Sequence, residues 1–125
     1  IVAKITGEEL MDMAHKSHTL VYSIKGQLAY INAQSHIARF ETTLNGYEHI
    51  VLRLRELYFI DLDGIDAFSE IVELIQAQGK KVYISSTNPL MGKMLEESEQ
   101  YRALVADGRV FERTTDALRS LGFHH

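Results

Sequence analysis

The chain has 125 residues, of which 46% are hydrophobic and 24% are charged; these values are typical of one globular domain and exclude a disordered or collagen-like chain. Its 13 lysines and arginines stand against 17 acids, and the net charge of −4 disfavours nucleic acid as a partner. The absence of cysteine excludes disulfides, catalytic thiolates and cysteine-based zinc sites. Because no run of 18 apolar residues occurs, we expect no direct insertion of this chain into a membrane.

Three segments are expected: a lead-in over residues 1–19, one folded domain over residues 20–122, and a tail over residues 123–125. The lead-in mixes apolar and charged residues without a clear period, which predicts a short extended segment with a turn of helix. The chain begins with Ile1 rather than Met, which indicates a fragment excised from a longer protein. His124 and His125 are interpreted as the remnant of a purification tag and are given no function.

The first elements of the domain are predicted over residues 19–45. Residues 19–24 are β-branched and aromatic and predict a strand, and residues 27–31 predict a second strand or a hairpin arm after the turn at Gly26. Asn32 is the expected N-cap of a helix that ends at Asn45 and Gly46. The apolar residues of that helix recur at helical spacing: Ala33, Ile37, Phe40 and Leu44.

Residues 50–64 form an apolar run that ends in Asp61, Asp63 and Gly64. Residues 50–54 predict the central strand, and a step at Arg55 and Glu56 leads on toward Asp61. Apolar residues then recur at the helical period and predict a helix over residues 63–78 that ends at Gly79; they are Ile65, Phe68, Ile71, Val72 and Ile75. The stretch therefore predicts strand, turn and helix, with Asp61 as the helix cap and Gly64 as the residue that lets the chain bend tightly.

The last third of the chain continues the alternation of strands and helices. Residues 80–85 predict a strand, after which Asn88 is the expected cap and Pro89 the first turn of a helix. The polar run at residues 96–100 is expected to extend this helix until Asp107 and Gly108. Residues 110–111 predict a short last strand, and a final helix capped by Thr114 or Thr115 is expected to end at Gly122.

Strands that alternate with helices of ten or more residues need crossover connections. The predicted fold class is therefore α/β, with a mixed and mostly parallel sheet of about four or five strands and about four helices packed on it.

Taken alone, residues 59–64 resemble the first motif of the haloacid dehalogenase superfamily. That resemblance implies a magnesium-dependent phosphatase in which Asp61 accepts the phosphoryl group and Asp63 is the general acid/base. The later strands end in residues 85–88 and 111–113, which offer no paired acids to complete a magnesium site. The phosphatase is therefore a remote alternative, and we expect no catalytic residue, no metal site and no enzyme.

The order of elements is similar to that of the STAS domain, a family named for sulfate transporters and anti-sigma factor antagonists. Residues 59–64 occupy the place of its apolar-Asp-x-(Ser/Thr)-Gly turn, and the resemblance runs from about residue 20 to residue 122. Residues 20–33 and 84–89 resemble the SulP-type permease branch more than the anti-sigma branch, and residues 110–118 resemble the closing segment of permease STAS domains.

This resemblance implies a non-catalytic, regulatory protein-interaction domain at the C-terminal part of a SulP-type sulfate or anion transporter. Such a domain would lie at the cytoplasmic face of the inner (plasma) membrane as part of an integral membrane protein. The implied partners are the transmembrane domain of its own transporter, a second protomer in a homodimer, and acyl carrier protein or another soluble protein. No cofactor is expected, although the resemblance implies guanine nucleotide as a ligand of some relatives.

The predicted docking surface lies where two strands of a parallel sheet end. Its residues are Asp61, Leu62, Asp63, Gly64, Ile65, Thr87, Asn88 and Pro89. Asp63 stands where anti-sigma antagonists keep the Ser or Thr that a partner kinase phosphorylates, so it is the phospho-switch equivalent and carries about one negative charge permanently. The alternative is a stand-alone anti-sigma antagonist or stressosome-type module, phosphorylated at another hydroxyl such as Ser69, Ser86 or Thr87.

Overall fold

The computed structural model describes residues 18–121, so nearly all of the predicted lead-in, the helix end at Gly122 and the tail at 123–125 lie outside the described residues. The elements in chain order are β1 (Thr19–Ser23), β2 (Gly26–Leu28), α1 (Ala33–Thr43), β3 (His49–Arg53), β4 (Leu57–Ile60), α2 (Leu62–Ala77), β5 (Lys81–Ser85), α3 (Pro89–Leu95), α4 (Glu99–Ala106), β6 (Val110–Phe111) and α5 (Thr114–Ser120). The predicted α/β class is confirmed. The described chain has five helices where about four were expected.

The main sheet has four strands in the order β1-β3-β5-β6, and all its neighbours are parallel. In its register Ser23 lies beside Arg53, and Arg53 lies beside Ser85. The strand predicted over residues 50–54 is therefore central, with β1 on one side and β5 on the other.

A second, two-stranded sheet pairs β2 with β4 in parallel, with an irregular register between Gly26 and Gln27. The hairpin predicted as one alternative for residues 27–31 is wrong, because β2 pairs with β4 and not with β1. The strand is also shorter than predicted and ends at Leu28. Likewise, residues 50–64 form two strands in two sheets, because a tight turn in which the Leu57 N–H donates to the Leu54 carbonyl at 3.1 Å separates them.

The main sheet buries both of its faces, because successive side chains of a strand point to opposite sides. On β3, Ile50 and Leu52 belong to the larger core, which also contains the apolar face of α2, whereas Val51 belongs to a smaller core with Ala117 and Leu118 of α5. The side chain of Arg53 follows Val51 in this alternation and therefore faces the α5 side. Burial of each leucine, isoleucine or valine side chain in these cores contributes about 1.5–3 kcal/mol.

The helix predicted to run from Pro89 to about Asp107 is wrong in its length, because α3 ends at Leu95 and α4 begins at Glu99. Ser98 stands between them with extended backbone, and its hydroxyl accepts a hydrogen bond from the Tyr101 N–H at 3.2 Å. A serine hydroxyl that caps a new helix satisfies a backbone donor that would otherwise lack a partner. The break therefore occurs inside the polar run that was expected to extend the first helix.

Two of the predicted caps also differ from the structure. Asn32 has the N-cap position of α1, but its side chain accepts from the Ala29 N–H at 2.9 Å and donates to the Gln27 carbonyl at 2.7 Å instead of capping the helix. At α5 the N-cap is Arg113, which makes no side-chain cap bond. Thr114 lies inside the helix, and its hydroxyl is hydrogen-bonded to that of Ser85 at 2.9 Å. At both helices the side chain that was expected to cap makes a different hydrogen bond. Asn32 bonds within its loop, and Thr114 bonds to a residue of β5.

Candidate functional site

Asp61 is the single residue between β4 and α2, and it caps α2, as predicted. One carboxylate oxygen accepts a hydrogen bond from the Gly64 N–H at 2.7 Å, and the other accepts from the Tyr30 N–H at 3.3 Å. The first bond satisfies a helix N-terminal donor, and the second ties the turn to the segment that follows β2. Asp61 therefore holds together the two chain segments that leave the small sheet.

Gly64 has a different role from the predicted one. It lies in the first turn of α2 and is absent from the residues with positive φ, so the chain needs no unusual bend there. A Cβ atom at this position would come within 2.6 Å of the Leu28 carbonyl carbon and 2.8 Å of Cγ1 of Ile60. Gly64 is thus required by the close approach of α2 to the ends of β2 and β4.

Asp63 is exposed in the first turn of α2. Together with Asp66 and Glu70 of the same helix and Tyr30 from the opposite side, it lines a groove of about 210 Å³ between α1 and α2. The groove wall on α2 is therefore acidic. Ile65, by contrast, is buried in the core and offers no side chain to a partner.

The second part of the predicted docking surface, Thr87 to Pro89, lines a different cavity, of about 630 Å³. Asn88 caps α3 as predicted, because its side chain accepts from the Met91 N–H at 2.7 Å. Tyr101 also lines this cavity; burial raises the pKa of its hydroxyl, an effect that a hydrogen bond with Thr87 partly opposes. Asp63 and the turn from Thr87 to Pro89 thus line two separate cavities, although α3 packs against β4, the strand that leads to Asp61.

Large apolar side chains surround Asp61 on the protein surface. Tyr30, Ile31 and Leu62 are 80%, 78% and 76% exposed, and we call these three residues the apolar patch. They lie on the two segments that leave the small sheet after the paired residues Leu28 and Ile60, and the hydrogen bond from the Tyr30 N–H to Asp61 joins these segments. Phe59 and Leu90 are exposed on the neighbouring β4 and α3. Exposed apolar patches of this kind mark interaction sites.

Sequence reasoning had included Leu62 in the surface but had not singled out Tyr30 or Ile31. Both belong to the segment that was predicted to be a strand, where apolar side chains are expected to be half-buried. The only signal that could have marked them is the adjacent Asn32, whose side chain bonds to the backbone on both sides of Leu28 and turns the chain before Tyr30.

Two further observations concern residues 18–121 only. No group of three or more histidine, aspartate or glutamate side chains in this range could hold a metal ion. No helix in the same range is long and apolar enough to span a membrane.

A family model and a curated protein both match this chain over most of its length. The family model described as "STAS domain" matches residues 11–117. An anti-sigma F factor antagonist from Paenibacillus polymyxa is 22% identical over 113 residues, which cover 89% of this chain and 93% of that protein.

Among solved structures, a sulfate transporter family protein from Wolinella succinogenes has a TM-score of 0.73 and 22% identity, covering 82% of this chain and 84% of its own. The SulP transporter STAS domain from Vibrio cholerae has a TM-score of 0.71 and 21% identity, covering 89% and 94%. At these identities the structural likeness establishes the fold, which both the transporter and the anti-sigma branches share.

Proposed function

The chain belongs to the STAS domain family, and we propose that it is a non-catalytic regulatory domain of a SulP-type anion transporter. In this proposal it lies at the cytoplasmic face of the membrane and docks on the transmembrane domain of its own transporter. The docking surface is the apolar patch together with the first turn of α2, where Asp61 and Asp63 lie.

The observation that carries this proposal is the exposure of the apolar patch at a turn that two hydrogen bonds to Asp61 hold together. Tyr30 and Leu62 lie on two segments that the carboxylate of Asp61 joins through the Tyr30 N–H and its cap of α2. A rigid apolar surface loses little conformational entropy when it is buried against a partner. Aromatic side chains such as Tyr30 are also enriched at the centres of protein interfaces.

The acidic residues around the apolar patch favour the cytoplasmic loops of a membrane protein as its partner. They disfavour binding to the lipid surface. Asp61, Asp63, Asp66 and Glu70 lie beside the patch or along the adjoining groove. Anionic lipids attract clusters of lysine and arginine, and this acidic surface would repel them. Cytoplasmic loops of membrane proteins, in contrast, carry an excess of lysine and arginine. An acidic rim around an apolar centre complements such loops.

Asp63 is the proposed regulatory position within this surface. It is exposed on the groove wall, where its carboxylate can meet a partner without any change in the fold. In the transporter branch the permanent charge of Asp63 would support constitutive docking, because no phosphorylation cycle is available at a carboxylate.

Site-directed photocrosslinking in cells tests the proposal. The photoreactive residue p-benzoylphenylalanine is placed at Tyr30 in the full-length gene product, and adducts are identified by mass spectrometry. The expected adducts join Tyr30 to cytoplasmic loops of the transmembrane domain of an anion transporter.

The matched control carries the photoreactive residue at Val105, which is 50% exposed on α4 and lies outside the apolar patch. We expect no adduct with the transmembrane domain from this position. Equal adducts from Tyr30 and Val105, or none from Tyr30, would count against the proposed docking surface.

A second candidate function is that of a stand-alone anti-sigma antagonist or stressosome-type module. It is favoured by the match of this chain to 93% of the length of the Paenibacillus polymyxa antagonist. Its partner would be a soluble kinase, and its phosphorylation site one of Ser69, Ser86 and Thr87, all of which are partly exposed. Phosphopeptides from these residues in protein isolated from cells, together with Tyr30 adducts to a kinase, would favour this candidate over the transporter domain.

A further inference from the structure

A cavity of about 450 Å³ opens at the carboxyl ends of β3, β5 and β6, outside the proposed docking surface. Its lining consists of Arg53, Arg55, Ser86, Glu112, Arg113, Thr114 and Thr115. Three arginines and one glutamate therefore line the cavity, in a chain whose net charge is −4. The cavity concentrates positive charge on an otherwise acidic protein.

Arg53 is the unusual member of this group, because it is 4% exposed at the end of a central strand. Arginine is rarely buried so deeply, and Arg53 already has an interaction partner within the chain. Its side chain shares the α5 face of the sheet with those of its register neighbours Ser23 and Ser85. Ser85 is hydrogen-bonded to Thr114, which itself lines the cavity.

Ser23 supplies an independent observation on the other side of Arg53. Its hydroxyl is buried and has no hydrogen-bond partner within residues 18–121. Buried hydroxyl groups without partners are rare in folded proteins and need an explanation such as an unseen ligand or water. The unpartnered hydroxyl of Ser23 therefore lies next to Arg53 in the sheet register.

The other two arginines are placed at the mouth. Arg55 and Arg113 are exposed, and within the described part of the chain neither forms an ion pair with Glu112 or any other acid. Ser86, which also lines the cavity, has a backbone φ of 66°, a left-handed conformation that costs energy for a residue with a side chain. Strained residues of this kind persist where the surrounding structure fixes them, and they cluster at ligand sites.

We infer that this cavity binds a tetrahedral oxyanion, either free sulfate or phosphate or the phosphate group of a small phosphorylated molecule. Guanidinium groups match the geometry of such oxygens with paired N–H donors. The Thr115 hydroxyl can donate to a remaining oxygen, and so can one of the two hydroxyls of Ser86 and Thr114, which are hydrogen-bonded to each other at 3.4 Å. The volume exceeds that of a bare anion and lies in the range of small-molecule sites, which leaves room for the organic part of a phosphorylated ligand.

Calorimetry of the chain in a buffer without phosphate or sulfate tests the inference, with sodium sulfate, sodium phosphate, glycerol 3-phosphate and sodium chloride as titrants at constant ionic strength. Saturable binding of the oxyanions, without comparable binding of chloride, is expected. Binding of glycerol 3-phosphate at least about tenfold tighter than phosphate would identify a phosphorylated ligand. Equal affinities would identify the free anion, and either result supports the site.

The variants Arg55→Gln and Arg113→Gln remove exposed charges from the mouth, and their melting temperatures should match that of the unmodified chain. Each is expected to weaken oxyanion binding about tenfold or more, since charge-assisted hydrogen bonds are lost. Arg119→Gln is the matched control, because Arg119 lies on α5, pairs with Asp116 and does not line the cavity. The inference is overturned if no oxyanion binds saturably, or if Arg119→Gln weakens binding as much as the other two variants.

Discussion

The carbonyl oxygen of Leu28 lies 1.8 Å from the position that a Cβ atom on Gly64 would occupy. No side chain larger than hydrogen fits between the last residue of β2 and the first turn of α2. The contact fixes how closely α2 approaches the small sheet, and thereby the position of Asp61, Asp63 and Leu62. The proposed docking surface is thus shaped by a contact between two backbones.

We expect Gly64→Ala to destabilise the chain by about 1–3 kcal/mol, as overpacking does. Helix propensity alone predicts the opposite sign, because alanine stabilises a helix interior by about 0.5–1 kcal/mol relative to glycine. The clash wins, since the obstacle is the Leu28 backbone and not the end of a flexible side chain. Urea unfolding monitored by circular dichroism measures the difference.

Gly92→Ala is the control for this prediction. Gly92 also lies inside a helix, α3, but a Cβ there would meet its nearest neighbour, the Tyr101 hydroxyl, at 3.5 Å, an ordinary contact. We expect it to be neutral or to stabilise by up to about 1 kcal/mol. If both glycine variants changed stability alike, the close approach of Leu28 would not be the cause.

Loss of the Asp61 cap should be visible in stability. Asp61→Ala removes the acceptor for the Gly64 and Tyr30 N–H groups, and we expect a loss of about 0.5–2 kcal/mol in the free energy of unfolding. Asp61→Asn keeps an acceptor oxygen at the cap and should cost less. Asp66→Ala, at an exposed position on the same helix, is the control and should change stability by less than about 0.5 kcal/mol. Equal losses in the alanine variants would contradict the capping role.

Ser98→Ala should lower the stability of the chain, because Ser98 holds the break between α3 and α4. Ser98 is buried, caps α4 at the Tyr101 N–H and shares a hydrogen bond of 2.6 Å with the Ser69 hydroxyl. The variant removes the cap and leaves Ser69 without this partner, for an expected loss of about 1–3 kcal/mol. Thermal unfolding of Ser98→Ala measures the loss of stability. Ser120→Ala, which removes a partly exposed hydroxyl at a helix end, is the control. A continuous helix in the variant, without any loss of stability, would refute this account.

Stability should fall as the pH is lowered through about 6.5. Burial, followed by the charge of Arg39, lowers the pKa of His36, and burial, followed by Lys81, lowers that of His49. The unfolded chain therefore binds more protons than the folded chain below the ordinary histidine pKa of about 6.5, and protonation favours unfolding. The stability held above this pH is lost as the pH falls toward the lowered values.

Urea unfolding at pH 7.5 and pH 5.5 measures this effect. We expect lower stability at pH 5.5, and a smaller difference in His36→Gln, which removes the imidazole that is hydrogen-bonded to the Tyr22 hydroxyl at 2.9 Å. Equal stability at the two pH values in the unmodified chain would show that neither histidine is held neutral.

The apolar patch should contribute to docking and little to folding. Leu62→Ala truncates a side chain that is 76% exposed, so we expect the free energy of unfolding to change by less than about 0.5 kcal/mol. The yield of the Tyr30 crosslink should nevertheless fall severalfold, because apolar contact area with the partner is lost. Val105→Ala should leave the yield unchanged. A stable Leu62→Ala variant with full crosslinking would place the docking surface elsewhere.

Much of the local structure could be predicted from residue patterns. The period of Ile65, Phe68 and Ile71 predicted α2, and Asp61 and Asn88 were correctly identified as caps, because capping joins residues only three apart. The same local reasoning failed at Ser98, where a partly buried hydrogen bond to the distant Ser69 accompanies the helix break. It also failed at Thr114, whose hydroxyl bonds to Ser85 instead of capping α5.

The sequence by itself determined the α/β class, the order of most elements and the turn at Asp61, since these follow from hydrophobic period and from contacts within a few residues. Only the tertiary structure decided three further features. Gly64 lies against the Leu28 carbonyl, Tyr30 and Leu62 belong to one exposed patch, and Arg53 and Arg113 line the same cavity. Each of these pairs is separated by more than 30 residues, and which strands pair determines what lies together. Periodicity reports the face on which a side chain lies; it does not report which distant segment covers that face.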